Sequence, residues 1–180
     1  MQHAPSALLI LDMQVGLFHG PDKPWQGERV LAVINGLIDK AHAASVPVFA
    51  VRHTGPAGSP IAEGSDAWPL LPALRIDASR DTVFNKTRPS AFFDTPLAGW
   101  LREAGVQRLY IAGMKTQYCV DTNCRVAREL GFEPVLVSDA HTCMDTPLLS
   151  AEAIVAHHNA TLGGGFAGLV ESADVGFTAG

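Results

Sequence analysis

Cysteine is scarce in this 180-residue sequence: Cys119, Cys124 and Cys143 are the only three, an odd number with no Cys-x-x-Cys pair. Small disulfide-stapled domains use even sets and structural zinc sites use closely spaced pairs, so neither framework is indicated. Basic residues are also few, 13 Lys and Arg against 18 Asp and Glu, for a formal net charge of −5. A nucleic-acid or anionic-membrane surface would need clustered cations, and here they are scattered. Long apolar runs are missing too. None approaches the ~20 residues that span a bilayer, and the first, residues 7–11, is too short for a signal peptide's apolar core and meets Asp12 at once. These deficits predict a soluble, reduced, cytoplasmic protein without nucleic-acid or membrane partners. The chain fits one domain, residues 1–180, and at this length a domain buries roughly 70% of its unfolded surface without staples.

What is present is a rhythm. Residues 7–11, 46–51, 109–112 and 134–137 are short apolar runs, each followed by polar or glycine punctuation. Such runs read as strands covered on both faces, hence a parallel sheet. Residues 82–85 and 166–170 offer two further, weaker strands. Between them, residues 28–44 place Leu31, Ile34, Ile38 and Ala41 on one helical stripe. Thr95-Pro96 and Thr146-Pro147 each predict a helix start, and Gly105 a helix end. The alternation predicts a three-layer α/β/α sandwich around a mostly parallel, doubly wound sheet of about six strands. Residues 53–72, rich in Gly, Pro and Ser, form about twenty residues without an element, a length that marks a lid or pocket wall. Residues 18–25 read as a shorter loop after the first strand.

In an open parallel sheet, ligands bind beyond the carboxyl ends of the strands. Residues just past each run are Asp12, Arg52 with His53, Lys86, the turn carrying Cys119, and Ser138, Asp139 and His141. Cys119 follows Gly113 where a helical pattern begins near Tyr118, and a helix N-terminus favours the thiolate. Each residue has a plainer reading: Cys119 as a small buried hydrophobe, Asp12 as a strand-end cap, Lys86 as a solvated lysine. An acid, a lysine and a thiol converging on one crevice, however, supply a base, an orienter and a nucleophile.

These residues resemble the isochorismatase-like cysteine hydrolases, which include nicotinamidases, carbamoylsarcosine amidase, ureidoacrylate amidohydrolases and streptothricin hydrolase. The resemblance spans nearly the whole chain. Leu9-Ile-Leu-Asp12-Met-Gln14 is similar to the first-strand motif with its catalytic Asp, and Lys86-Thr-Arg-Pro-Ser-Ala-Phe92 to the segment with the catalytic Lys. Ile111-Ala-Gly-Met-Lys-Thr-Gln-Tyr-Cys119-Val resembles the nucleophile turn, and Val137-Ser-Asp-Ala140 the strand beyond it. The resemblance implies a non-proline cis peptide at Met114–Lys115 and an oxyanion hole made by the backbone N–H groups of Lys115 and Cys119. It implies a homo-oligomer, dimer or tetramer, acting on a small-molecule substrate. Nicotinamidases hold a metal with Asp-x-His after the second strand, whereas this chain has Val51-Arg-His53. No metal and no other cofactor is therefore expected. Isochorismatase action on an enol ether uses no cysteine nucleophile, so Cys119 points to a carbon–nitrogen bond (amide, ureide or lactam) cleaved through a thioester. The alternative is a non-catalytic or redox-sensing member with Cys119 as a reactive thiol.

His53 is either a substrate contact or a satisfied polar residue at a loop start. Phe18, Trp68, Phe92 and Tyr118 are candidate pocket walls, with core packing the alternative. His141, His157 and His158 read as structural, and Cys124 and Cys143 as inert.

Overall fold

The computed structural model describes residues 4–179. Six strands form one parallel sheet in the order β3-β2-β1-β4-β5-β6. They are β1 (Ser6–Leu11), β2 (Val48–His53), β3 (Thr82–Lys86), β4 (Arg108–Met114), β5 (Glu133–Thr142) and β6 (Gly168–Val170). The helices are α1 (Val15–Phe18), α2 (Gly27–Ala43), α3 (Leu97–Glu103), α4 (Asp121–Glu129) and α5 (Ala151–Gly163). The architecture is the expected α/β/α sandwich. Leu8 and Ile10 of β1 pack with Leu31, Ile34 and Ile38 of α2, while Ala7, Leu9 and Leu11 pack with Leu97 and Leu101 of α3 and Cys124 and Ala127 of α4. This explains why β1 is apolar without alternation: both faces are covered, and each buried Leu or Ile contributes about 1.5–3 kcal/mol.

The sheet order reverses between β1 and β4. The chain leaves β1 for one face and β4 for the other, so a crevice opens between their carboxyl ends. Gly113 sets the approach there. Its φ is 119°, and a Cβ at this position would lie 2.2 Å from Leu11 O. The β4–β5 register shifts at the same place, between Ile111 and Gly113. Gly113→Ala must force β1 and β4 apart beneath the crevice, and a destabilisation of about 3 kcal/mol or more is expected in urea melts. A wild-type midpoint would contradict this account of the strand ends.

Several boundaries differ from expectation. The second strand begins at Val48, because Ser45 (φ 54°) and Pro47 form the turn, and it extends through Arg52 and His53. β5 runs to Thr142, so Ser138, Asp139 and His141 lie within the strand: after the register shift, pairing resumes at Gly113 with His141. α5 starts at Ala151, not after Thr146. Thr146 Oγ1 instead accepts from Leu148 and Leu149 N–H, closing its own turn, and Ser150 caps the helix by accepting from Ala153 N–H at 3.2 Å. The expected loop at 18–25 loses Phe18 to α1, whose Val15 and Gly16 N–H groups donate to Pro69 O and Ala67 O in the long loop. α3 begins at Leu97, two residues after Thr95, with Pro96 rather than Thr95 at the N-cap position, and Gly105 (φ 66°) follows its end. His53 belongs to β2, and residues 54–72 contain only isolated bridges, Gln14 to Leu70 and Gly55 to Ala62.

Candidate active site

Asp12 directly follows β1 with a left-handed φ of 53°, a conformation costing a non-glycine residue about 1–3 kcal/mol. Lys86, the last residue of β3, reaches across the end of β2 to meet it: Nζ lies 2.8 Å from Asp12 Oδ2, with the side chains 0% and 1% exposed. Burying an ammonium without such a partner would be prohibitive. Lys86 Nζ also lies 3.2 Å from each of Cys119 Sγ, His53 Nδ1 and Arg88 O. Four acceptors surround a group with three hydrogens, so one bond can be exchanged as charge moves between carboxylate and sulfur.

Cys119 lies in a π-helical turn, Thr116–Val120, inserted between β4 and α4. π turns cluster at functional sites because they displace a side chain from regular α spacing. The preceding Met114–Lys115 peptide is cis, and the N–H groups of Tyr118 and Val120 both donate to Lys115 O. Asn123 fastens the turn from α4: its Nδ2 donates to Cys119 O at 2.7 Å and to Pro89 O, and its Oδ1 accepts from Ala91 N–H. Asn123 thereby joins the nucleophile turn to the segment that follows Lys86.

The favoured thiolate expected from the helix start is corrected by the site itself. Burial pushes the Cys119 thiol up to about 12, the Asp12 carboxylate pushes in the same direction, and Lys86 offsets them only in part. The resting sulfur is a thiol. Asp12 Oδ1 is buried with no bonded donor, and the donor atoms of Asp12 and Cys119 lie within 4.8 Å of each other. The carboxylate is placed to take the proton as the sulfur attacks. Alkylation of Cys119 by iodoacetamide is therefore expected to be slow at pH 8 and to rise about tenfold per pH unit through pH 10, since only the thiolate reacts. Asp12→Asn removes one cause of the upward shift and should accelerate alkylation at pH 8. Fast labelling of the wild type at pH 7, mapped to Cys119 by peptide mass, would contradict this.

The cavity above the sulfur, about 330 Å³, is lined by Asp12, Leu17, His53, Ile61, Pro89, Lys115, Tyr118 and Cys119. A larger depression, about 440 Å³, lies beside Arg108, Glu133 and Leu169 and holds no nucleophile. Of the candidate pocket residues, His53 and Tyr118 line the cavity. Phe18 is buried in the core beneath α2. Phe92 stacks on Phe132 against the opposite core. Trp68 donates through Nε1 to Thr54 Oγ1 and carries the Arg52 guanidinium on its ring. Each of these three rings spends its surface elsewhere. Leu17, Ile61 and Pro89 take the places given to aromatics; only Ile61, an apolar residue within a polar loop, left a signal.

Gln14, two residues beyond Asp12 in the same motif, braces the site. Its Oε1 accepts from His53 N–H at 2.7 Å while Nε2 donates to His53 O and Trp68 O, locking the end of β2 to the long loop. Burial, then the Lys86 charge, lower the His53 pKa, so the ring is neutral and accepts from Lys86 through Nδ1. His141 is buried between Thr116 and Asn159, and His158 bonds Ile154 O. Neither His157 nor His158 lines the cavity, and Cys124 and Cys143 are buried.

Asp12, His53 and Cys119 bring one donor atom each within 4.8 Å. The set does not fit a metal ion, because the Lys86 ammonium already contacts all three groups and would repel one.

The fold and site define an α/β/α sandwich protein whose crevice holds a thiol, a carboxylate and an ammonium. The isochorismatase domain model matches residues 6–161, and the chain belongs to the isochorismatase family. A streptothricin hydrolase from Streptomyces noursei is 34% identical over 142 residues, covering 78% of this chain and 56% of that protein. The chain spans about half the length of the streptothricin hydrolases it matches. A secreted isochorismatase effector of Verticillium dahliae is 29% identical, covering 94% of this chain and 90% of the relative. The crystal structure of an isochorismatase from Pseudomonas putida superposes with a TM-score of 0.89 at 27% identity, covering 97% and 94% of the two chains. Among the described residues, no helix is long and apolar enough to cross a membrane.

Proposed function

We propose that the protein is a cysteine amidohydrolase that cleaves a carbon–nitrogen bond of a small molecule through a thioester. The observation that carries this reading is the contact of Lys86 Nζ with both Asp12 Oδ2 and Cys119 Sγ, with the lysine and aspartate side chains buried. Cleavage of an enol ether needs no sulfur there. Attack on a carbonyl needs all three groups.

Asp12 takes the thiol proton as Cys119 Sγ bonds the carbonyl carbon. The N–H groups of Lys115 and Cys119 receive the oxyanion, a contribution often worth about 3–4 kcal/mol per donor. The protonated Asp12 then gives its proton to the departing nitrogen, leaving an acyl group on sulfur. Water, deprotonated by Asp12, attacks the thioester and releases the acid and the thiol. Lys86 shifts its hydrogen bonds between carboxylate and sulfur so that neither charge is left unpaired. The cavity's apolar wall, Leu17, Ile61 and Pro89, favours a compact, largely uncharged acyl portion.

A sensor thiol would be exposed and shifted towards the thiolate; the burial of Cys119 and its raised pKa argue against that alternative. The proposal includes a homo-oligomer, dimer or tetramer, consistent with Tyr118, Phe93 and Leu148 being 56%, 56% and 91% exposed, and sedimentation equilibrium tests it. A cytoplasmic location is proposed from the three free thiols.

The reaction is tested by an ammonia- and amine-release screen over small amides, ureides and lactams, with isochorismate alongside. Nitrogen release that is lost on Cys119 alkylation supports the proposal. Turnover of isochorismate alone would overturn it.

A further inference from the structure

One buried titratable residue has no part in the chemistry above, yet it is bonded to the nucleophile turn. Thr116, wholly buried, opens that turn three residues before Cys119, and its Oγ1 lies 2.9 Å from His141 Nδ1. His141 Nε2 lies 2.9 Å from Asn159 Oδ1, and Asn159 Nδ2 donates to Ser138 O at 3.1 Å.

The last bond orders the hydrogens along the whole chain. The Asn159 nitrogen must face the carbonyl, so its oxygen faces His141, and Nε2 of the ring carries the hydrogen. In a neutral imidazole Nδ1 is then a bare acceptor, and the Thr116 hydroxyl must donate to it. The Cys143 thiol also bears on that hydroxyl, but imidazole nitrogen at 2.9 Å is the stronger acceptor.

Burial lowers the His141 pKa to about 4, so the ring is neutral under ordinary conditions. The charged and titratable groups around it are Asp139 on its own strand, His158 and Glu152 on α5, and Arg29 on α2. A run of directed bonds thus ties β5 and α5 to the backbone step that follows Lys115.

We propose that His141 is a positioning residue: anchored by Asn159, it holds the Thr116 hydroxyl and thereby keeps the Lys115–Cys119 turn aligned with Asp12 and Lys86. Its kinetic part rests on the hydrolase reading, whereas its effect on the sulfur does not. A turn released from His141 lets water reach Cys119, which moves the thiol back towards its ordinary pKa. Misplacement of a nucleophile by about 1 Å costs on the order of 10²-fold in rate.

The experiment compares Thr116→Val, Thr116→Ser, His141→Leu, His141→Gln and the Thr116→Val/His141→Leu double variant. Two readouts are used: the pH profile of Cys119 alkylation, and kcat with KM on a substrate from the release screen. Thr116→Val and His141→Leu should each label Cys119 at pH 8 about tenfold faster and lower kcat about 10²-fold, with KM changed less than about threefold. The double variant should be no worse than the poorer single, because the two residues act as one unit. Thr116→Ser keeps the hydroxyl, and His141→Gln keeps an acceptor and a donor at similar separation, so both should recover most of the loss. If His141→Leu does not fold, the contrast between Thr116→Val and Thr116→Ser carries the test. A wild-type alkylation profile in folded Thr116→Val, or losses that multiply in the double variant, would overturn the positioning role. An altered profile in a protein that hydrolyses no amide would support the positioning role while removing the hydrolase reading.

Discussion

Cys119→Ala is expected to lose at least about 10⁴-fold in kcat on any carbon–nitrogen substrate while its thermal midpoint stays within a few degrees of wild type. The rate loss follows from the chemistry: without sulfur no acyl intermediate forms, and binding plus oxyanion stabilisation alone leave a residual far below the intact enzyme. The small structural effect follows from the packing. Cys119 is a small side chain whose turn is held by main-chain bonds to Lys115 O and by Asn123, and neither depends on the sulfur. Alanine also removes an acceptor from Lys86, which retains Asp12, His53 and Arg88 O, enough for three hydrogens. Circular dichroism melts with steady-state rates measure both effects. Full activity in the variant would end the proposal, and a collapsed fold would show that the turn depends on the thiol after all.

Asp12→Asn and Lys86→Met should differ from Cys119→Ala by damaging stability and activity together. Each leaves a charge in a site with essentially no exposure, 0% for Lys86 and 1% for Asp12. Removing one partner of a buried pair costs about 3–5 kcal/mol, a large part of a typical domain's 5–15. For a chain of this size that is a fall of about 10 °C or more in Tm. The double variant Asp12→Asn/Lys86→Met removes both charges and should be more stable than either single, because the desolvation cost disappears with the pair. Activity should not return with stability. Asp12→Asn removes the base and is expected to lose about 10³-fold or more, as proton-transfer groups commonly do. A double variant as unstable as the sum of the singles would mean that the pair is not coupled in the way its 2.8 Å contact implies.

The framework was legible because it is written in short-range signals. Four apolar runs and two weaker segments mark all six strands, five of them to within two residues at each end and β5 with a longer far end, and the stripe from Leu31 to Ala41 marks α2. The acid, lysine and thiol were legible because strand ends in a parallel sheet converge, so a census of those positions found groups that are separated by 74 and 33 residues in sequence. What was not legible depends on registers that no local pattern carries. The β4–β5 shift at Gly113 moved His141 inside a strand, and that placement creates its contact with Thr116. Three of the four aromatic candidates, all but Tyr118, lie elsewhere for a similar reason: Phe92 and Phe132 find each other across 40 residues, Trp68 is claimed by Thr54 and Arg52, and Phe18 by the core. The helix start and nearby lysine that favour a thiolate are visible in the sequence, whereas the depth of burial that raises the Cys119 pKa is not.

The central claim is that substrate carbon becomes bonded to Cys119 sulfur, and intact-mass spectrometry after rapid acid quench measures this directly. Wild-type protein mixed with a substrate from the release screen should gain the mass of the acyl portion, mapped to the peptide carrying Cys119, and the adduct should decay at the rate of acid release. Cys119→Ala should show no gain. Steady release of ammonia or amine by the wild type with no adduct at any quench time, and undiminished release by Cys119→Ala, would contradict the account.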